Sequence, residues 1–404
     1  MARFCLPRDI YHGKGALETL KTLKGRRANI CVGGGSMKRG GFLQRAEGYL
    51  REAGMEVRLF EGIESDPSVE TVMKGAAVMQ EFQPDWIVAM GGGSPIDAAK
   101  AMWIKYEHPE CSFEDMCKVF GLPKLRTKAR FVAISSTSGT ATEVTAFSII
   151  TDYAKGIKFP IADFEITPDI AIVDPELALT MPQKLCAHTG MDALTHDLEA
   201  IVAVAHSPYS DALAIHSMKM FRDSLVKSFG GDAAARAVMH DAQCLAGMSF
   251  SNALLGIVHS LAHKTGAAFA GGHIIHGAAN AMYLPKVIKF NAAVPFAAAR
   301  YALCAGELGL AGAESSQEAK IAALIAWVRK LNDELNIPHC IRDYAANGLP
   351  GEGMVTAAEF ESKAAQIAEN AMGDACTGCN PRQMDAKLME RVLRCCWDDS
   401  EVDF

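Results

Sequence analysis

The chain has 404 residues, 40 of them Lys or Arg against 47 Asp or Glu, for a formal net charge of −7, and half of all residues are hydrophobic. That length and apolar content suit two or three domains with real cores. The mild acidity without any basic run argues against nucleic acid or an anionic membrane as a partner. The opening residues lack an apolar segment of signal-peptide length, and no run approaches the roughly 18 apolar residues that cross a bilayer, so a cytoplasmic location is expected. Twelve cysteines in such a chain are expected as thiols, not as a disulfide framework.

In chain order, residues 1–27 mix polar and apolar positions and predict an edge strand, then a helix from Lys14 to Leu23. Ala28–Val32 is a short apolar run ending in Gly33-Gly34-Gly35-Ser36, the pattern of a buried strand feeding a glycine loop. A helix over residues 42–53 and a strand over Glu56–Phe60 complete a βαβ unit, hence a parallel sheet. After a helix over 68–82, the strand Asp85–Met90 runs into Gly91-Gly92-Gly93-Ser94-Pro95-Ile96-Asp97-Ala98-Ala99-Lys100. Here Ser94 is expected to cap the next helix, with Pro95 at its first position. Arg130–Ile134 predicts another strand, ending in the small-residue loop Ser135–Glu143, and Ile170–Val173 the last clear one. From Met181 onward the sequence turns to Ala, Leu and Met at helical spacing. The expected fold is an α/β parallel-sheet domain over 1–180, Rossmann-like, and an all-helical domain over 181–404.

The loop Gly91–Ser94 lets backbone N–H groups approach a pyrophosphate, and a helix start behind it adds favourable partial charge. The common G-x-G-x-x-G fingerprint is absent. Ser136–Thr142 offers hydroxyls and bare backbone for phosphate and nicotinamide. Four of the twelve histidines, His259, His263, His273 and His276, fall between Gly256 and Asn280. His259 and His263 are four apart, as are Asp192 and His196 in Gly190-Met191-Asp192-Ala193-Leu194-Thr195-His196, so each pair shares a helix face. One carboxylate and several imidazoles converging from helices compose a divalent-metal site.

These motifs, G-x-D-A-x-x-H, H-x-x-x-H and H-G-x-x-N with Gly-Gly-Gly-Ser-Pro-x-Asp-x-Ala-Lys, resemble those of the group III, iron-containing alcohol dehydrogenases. The similarity runs from the first glycine loop to Asn380-Pro381-Arg382 and implies the dehydroquinate-synthase-like fold. It implies Asp192, His196, His259 and His276 as ligands of Fe²⁺, with Zn²⁺ as the alternative, in the helical domain. His263 is then a residue near nicotinamide and substrate with a part in proton relay, and His273 is no ligand. Gly34, Gly35, Ser36, Gly92, Gly93, Ser94, Asp97, Thr137, Ser138, Thr140, Thr142 and Lys158 are implied in cofactor binding, and Phe147, Phe250 and Cys376 at the substrate pocket. NADH-using members often carry an aspartate after the first strand. Gly33 or Gly34 stands there in this chain, so the barrier to NADPH is missing, and Ser36, Lys38 or Arg39 is placed to pair with a 2′-phosphate. The expectation is a homodimer interconverting a small aldehyde and a primary alcohol with NAD(P)H, leaning to NADPH. A zinc polyol or glycerol dehydrogenase, or a metal-dependent lyase that uses NAD without net redox, is the alternative.

Overall fold

The computed structural model describes residues 3–154, 157–266, 268–269, 274–346 and 355–404; His273 lies outside them. The chain divides into two compact units, Met1–Met181 with Arg236–Ser251, and Pro182–Ala235 with Asn252–Phe404.

The first unit is built on eight strands: β1 (Asp9–His12), β2 (Arg27–Gly33), β3 (Glu56–Ile63), β4 (Trp86–Gly91), β5 (Arg130–Ser135), β6 (Phe147–Asp152), β7 (Ile157–Ala162) and β8 (Ile170–Val173). Six form one parallel sheet in the order β1-β8-β5-β4-β2-β3, and β6 and β7 pair as an antiparallel hairpin. Helices α1 (Ser36–Arg39), α2 (Phe42–Glu52), α3 (Val69–Phe82), α4 (Gly93–Glu107) and α5 (Phe113–Met116) connect them. Both sheet faces are covered, which is why the strands read as unbroken apolar runs. Cys31, Ile87, Ala89, Phe131 and Ala133 point to one core with Met79, Met102 and Trp103. The alternate residues Ile30, Val32, Val88, Met90, Val132 and Ile134 point to the other, with Leu17, Leu20, Leu43 and Leu50.

Several local expectations are corrected. The predicted helix Lys14–Leu23 is a 3₁₀ segment, Ala16–Thr22. Ser94 does not cap α4: the cap residue is Gly92 and the helix starts at Gly93, so Ser94 is inside the first turn. Its hydroxyl instead accepts from the Asp66 N–H at 3.3 Å. The hairpin β6–β7 was unannounced by any apolar run.

The second unit is helical: α6 (Gln183–Ala200), α7 (Pro208–Phe229), α8 (Ala233–Ala253), α9 (Ile257–Thr265), α10 (His276–Asn291), α11 (Pro295–Glu307), α12 (Gln317–Glu334), α13 (Ile341–Ala346), α14 (Ala357–Met372) and α15 (Ala386–Asp398). A continuous helical domain over 181–404 does not anticipate that Arg236–Ser251 of α8 groups with the sheet unit. Gly247 explains the attachment: a Cβ there would stand 2.2 Å from the Ala141 Cβ, so the bare glycine lets α8 lie directly on the loop after β5. No single described helix is long and apolar enough to cross a membrane.

Candidate metal and cofactor sites

In the sheet unit, β2 is followed by β3 on one side, whereas β4 returns to its other side. That reversal is a topological switch point, outside whose carboxyl edge ligands of open α/β sheets bind. The two glycine loops, Gly33–Ser36 after β2 and Gly91–Ser94 after β4, both leave the sheet there. The second is tied to the loop after β5, since Ser136 N donates to the Gly91 carbonyl at 2.8 Å. A Cβ at Gly92 would meet Thr137 Cγ2 at 3.2 Å, and one at Gly93 would meet Thr140 Cγ2 at 3.1 Å. Thr137 Oγ1 is enclosed without a hydrogen-bond partner, and Thr142 Oγ1 donates to Thr140 Oγ1 at 3.1 Å. Bare backbone beside unclaimed hydroxyl capacity fits a pyrophosphate and ribose.

The other expected cofactor residues have partners of their own. Ser138 Oγ lies 3.1 Å from His240 Nδ1, so its side chain faces α8. Lys158 donates to Asp66 Oδ1 at 2.7 Å. Burial pushes the Asp97 carboxyl up to about 7 against the pull of Lys100. Around the first loop, Lys38 pairs with Glu61 at 3.2 Å. Arg39 has no ion pair among the described residues, and its Nη1 lies 3.1 Å from where a Gly35 Cβ would stand. Phe147 and Phe250 stack with ring centroids 6.1 Å apart.

In the helical unit, α6 presents Asp192, His196 and Glu199, at positions i, i+4 and i+7 of one helix face. Helix α9 begins at Ile257 and carries His259 in its first turn; α10 begins at His276. Gly277 sets the approach of α10 to α6, because a Cβ there would be 2.1 Å from the His188 carbonyl oxygen. As a result Asp192 Oδ1 stands 3.4 Å from His276 Nε2, 3.6 Å from His259 Nε2 and 3.9 Å from His196 Nε2. Asp192, His259 and His276 bring their ligand atoms within 4.8 Å of one another. His196 lies beside that trio, stacked on the His259 ring at 4.7 Å. A tetrahedral ion with bonds of about 2.1 Å requires ligand atoms about 3.4 Å apart, so the spacing fits.

Two further groups hold this set. Glu199 Oε2 accepts from His259 Nδ1 at 2.6 Å, so Nε2, which faces Asp192, is the nitrogen a metal would take. Its other oxygen accepts from the Val258 N–H at 2.7 Å, so one carboxylate both caps α9 and orients its histidine. Asn280 Nδ2 donates to Asp192 Oδ1 at 2.7 Å and lies 3.2 and 3.3 Å from the Nε2 atoms of His259 and His276. Three acceptor atoms thus converge on one electropositive group, as they would on a cation. Burial disfavours charge throughout. It pushes His196 down to about 3, whereas His259 is carried up to about 9 because Asp192 and Glu199 outweigh its burial. Burial also works against the Asp192 charge, but the surrounding imidazoles hold its carboxyl well below the ordinary range. Two enclosed carboxylates amid imidazoles fit a positive ion.

His276 is the exposed member, 35% against 2–5% for Asp192, His196 and His259, so the cluster opens on its side. There His263 stacks on His276, with centroids 5.2 Å apart and planes 7° apart. Cys376 lies next to His263, with Asp374 completing a second group of ligand-type atoms within 4.8 Å. No disulfide joins any of the twelve cysteines. Glu199, Asn280 and Asp374 carry no role in the sequence reading. Glu199 was detectable by its spacing, three residues beyond His196 on an apolar helix.

The family model for iron-containing alcohol dehydrogenase matches residues 7–175, and that for the C-terminal part of the Fe-containing alcohol dehydrogenase family matches 186–397. The chain belongs to the iron-containing alcohol dehydrogenase family. It is 58% identical over its whole length, and all of the relative's, to an NADPH-dependent butanol dehydrogenase of Clostridium saccharobutylicum. It is 40% identical over 96% of its length to the bifunctional aldehyde-alcohol dehydrogenase of Escherichia coli K12, of which it spans 45%. Among solved structures, the iron-containing alcohol dehydrogenase of Thermococcus thioreducens superposes with a TM-score of 0.87 at 35% identity, covering 98% of this chain and all of that one. A 1,3-propanediol oxidoreductase does so with 0.88 at 31%, with the same coverage. This family member is therefore an oxidoreductase with a parallel-sheet part and a helical part, acting between alcohols and aldehydes with a nicotinamide cofactor.

Proposed function

We propose that this chain reduces a short-chain aldehyde to its primary alcohol, reversibly, with NADPH, using Fe²⁺ (Zn²⁺ as the alternative) held by Asp192, His196, His259 and His276. The observation that carries the ligand assignment is the convergence of three Nε2 atoms on Asp192 Oδ1 at 3.4–3.9 Å. When bound, the metal supplies Lewis acidity toward the substrate oxygen and the nicotinamide supplies the hydride. The protein's own work is positioning. Glu199 and Asn280 keep the ligand atoms aimed, and enclosure of Asp192 and His259 keeps water from their inner side. Gly34, Gly35, Ser36, Gly92, Gly93, Ser94, Asp97, Thr137, Ser138, Thr140, Thr142 and Lys158 are assigned to the cofactor. Ser138 serves through its backbone, since its hydroxyl is engaged by His240. The 2′-phosphate is assigned to Arg39 because Lys38 is already paired with Glu61. Phe147 and Phe250 are assigned to an apolar substrate wall and Cys376 to the pocket near His263. His263 exchanges the hydroxyl proton. A cytoplasmic homodimer without nucleic-acid or membrane partners completes the reading, in keeping with a net charge of −7.

The test is anaerobic: metal-stripped protein, NADPH and butyraldehyde, followed at 340 nm before and after Fe²⁺ is added. Absorbance loss only with iron supports the assignment. Loss only with NADH overturns the NADPH assignment, loss only with Zn²⁺ overturns iron, and no loss with either metal or cofactor overturns the substrate class.

A further inference from the structure

Asp374 and Lys264 are 110 residues apart in the chain, yet the Asp374 carboxylate meets both Lys264 and its neighbour His263. The Asp374 side chain is wholly enclosed; its Oδ2 is 3.1 Å from His263 Nδ1 and 3.0 Å from Lys264 Nζ. Its Oδ1 accepts from the Cys376 N–H at 3.1 Å. The turn that carries it is anchored at both ends. Thr377 Oγ1 donates to the Ala371 carbonyl at 2.6 Å and lies 2.8 Å from Ser260 Oγ, one turn before His263 on α9. Burial works against the charge on Asp374, but His263, Lys264 and the Cys376 N–H hold it ionised far below the ordinary carboxyl range.

An ionised carboxylate can only accept, so the His263 nitrogen facing it must carry a proton. The other ring nitrogen, Nε2, is then the one left to give or take a proton. The ring that bears it is stacked on His276, the exposed histidine of the metal-ligand cluster.

We propose that Asp374 is the positioning residue for His263, fixing the Nδ1–H tautomer so that Nε2 exchanges the substrate's hydroxyl proton. In the oxidation direction the alcohol O–H bond breaks to Nε2 while the hydride leaves carbon for NADP⁺, giving aldehyde, NADPH and an imidazolium whose charge Asp374 stabilises. In reduction the imidazolium Nε2–H protonates the oxygen as the hydride arrives, and solvent restores the proton. The proposal rests on the functional reading above. His263, Asp374 and Cys376 also have the donor types of a second metal site. Lys264 already neutralises Asp374, however, so a cation there would have to displace an ammonium group, and the tautomer role is the one the contacts favour.

The test is a double-mutant cycle on the iron-loaded enzyme, H263A, D374N and both, reading kcat and KM for butanol oxidation, with metal content measured for each. Loss of a proton-transfer partner corresponds to about 10²–10⁴-fold in rate. D374N is expected to lose about 10²-fold or more in kcat with KM and metal content little changed, and to add nothing in the H263A background. Losses that multiply, or a D374N enzyme with wild-type kcat, overturn the proposal. H263A with wild-type kcat overturns the proton role of His263 itself, a separate failure. Because D374N leaves Lys264 without its anion, D374N/K264M is run in parallel and should show the same dependence on His263. An independent readout is the ¹⁵N spectrum of the zinc-loaded protein. Wild type should show His263 protonated at Nδ1 alone, and D374N a mixture of tautomers; a mixture in wild type refutes the assignment.

Discussion

Glu199→Gln separates the charge of this carboxylate from its shape. The native group accepts from His259 Nδ1 at 2.6 Å, from Val258 N at 2.7 Å and from His259 N at 3.4 Å. The amide keeps one accepting oxygen and turns an NH₂ toward groups that are themselves donors, so either the ring or the helix end loses its partner. If the ring loses it, His259 is free to place its proton on Nε2, the atom that must be bare to bind a metal. Removing such an outer partner of a metal-bound histidine typically costs 10–100-fold in metal affinity. At about 1.36 kcal/mol per decade that is about 1.4–2.7 kcal/mol. If the helix end loses it, the cost is a cap of about 1 kcal/mol, visible without metal. The assay is a competition titration of metal-free wild type and E199Q against a chelator buffer, with Zn²⁺ and anaerobically with Fe²⁺, plus melting curves of both metal-free proteins. Weaker binding by one to two decades is expected, with turnover largely recovered at saturating metal. An E199Q protein with wild-type affinity and melting temperature would refute the view that this carboxylate orients His259.

Three shorter predictions follow from other contacts. Gly277→Ala sets a methyl 2.1 Å from the His188 carbonyl oxygen, a backbone atom that cannot swing aside. Helix α10 must therefore move from α6, at about 1–3 kcal/mol or more, and both melting temperature and bound metal should fall; an unchanged metal content would contradict the packing argument. Arg39→Ala should raise KM for NADPH at least tenfold and leave NADH use unchanged, while Lys38→Ala should do little because Glu61 already claims that ammonium. Equal effects of the two would reverse the assignment of the phosphate. Asp399 bridges Arg329 and Lys286 at 2.7 Å each, and these partners hold its carboxyl below its unfolded value of about 3.9. A depressed carboxyl adds stability above the unfolded pKa that is lost as pH falls through the folded one. Asp399→Asn, at a φ of 64° that asparagine tolerates, should cost about 1 kcal/mol at pH 7. In melting curves the gap from wild type should start to narrow below about pH 4 and keep shrinking as pH falls toward the folded pKa; a gap that stays constant over that range would refute the ion-pair account.

The strands were legible because a sheet covered on both faces writes apolar runs into the sequence, and the glycines ending Ala28–Val32 and Asp85–Met90 mark where the chain leaves it. The candidate ligand pairs were legible because Asp192 with His196 is a local helical spacing. What escaped was set by long-range contact. The hairpin β6–β7 has no continuous apolar run, so its pattern resembles loop. Ser94 looked like a helix cap because serine is a common one, but Gly92 takes that place and the Ser94 hydroxyl serves Asp66 instead. Arg236–Ser251 reads as one more helix until Gly247 is seen against Ala141.

The same division explains the supporting groups of the helical site. A metal ligand is recognisable by type and spacing, because the chemistry demands nitrogen and oxygen donors from a few helices. A group that orients a ligand is under no such restriction of type or place. Glu199 sits on the ligand helix, Asn280 one turn after His276, and Asp374 in a turn 111 residues from His263. Each is a single buried polar residue whose local sequence is that of an ordinary helix or turn. Only the fold shows that their hydrogen bonds end on histidine rings or on the Asp192 carboxylate. Buried charge supplies the selective reason: Glu199 and Asp374 are enclosed carboxylates, which cost free energy unless a cation or several donors face them. Enclosed acids that end on imidazoles are therefore where orienting groups should be sought in this chain.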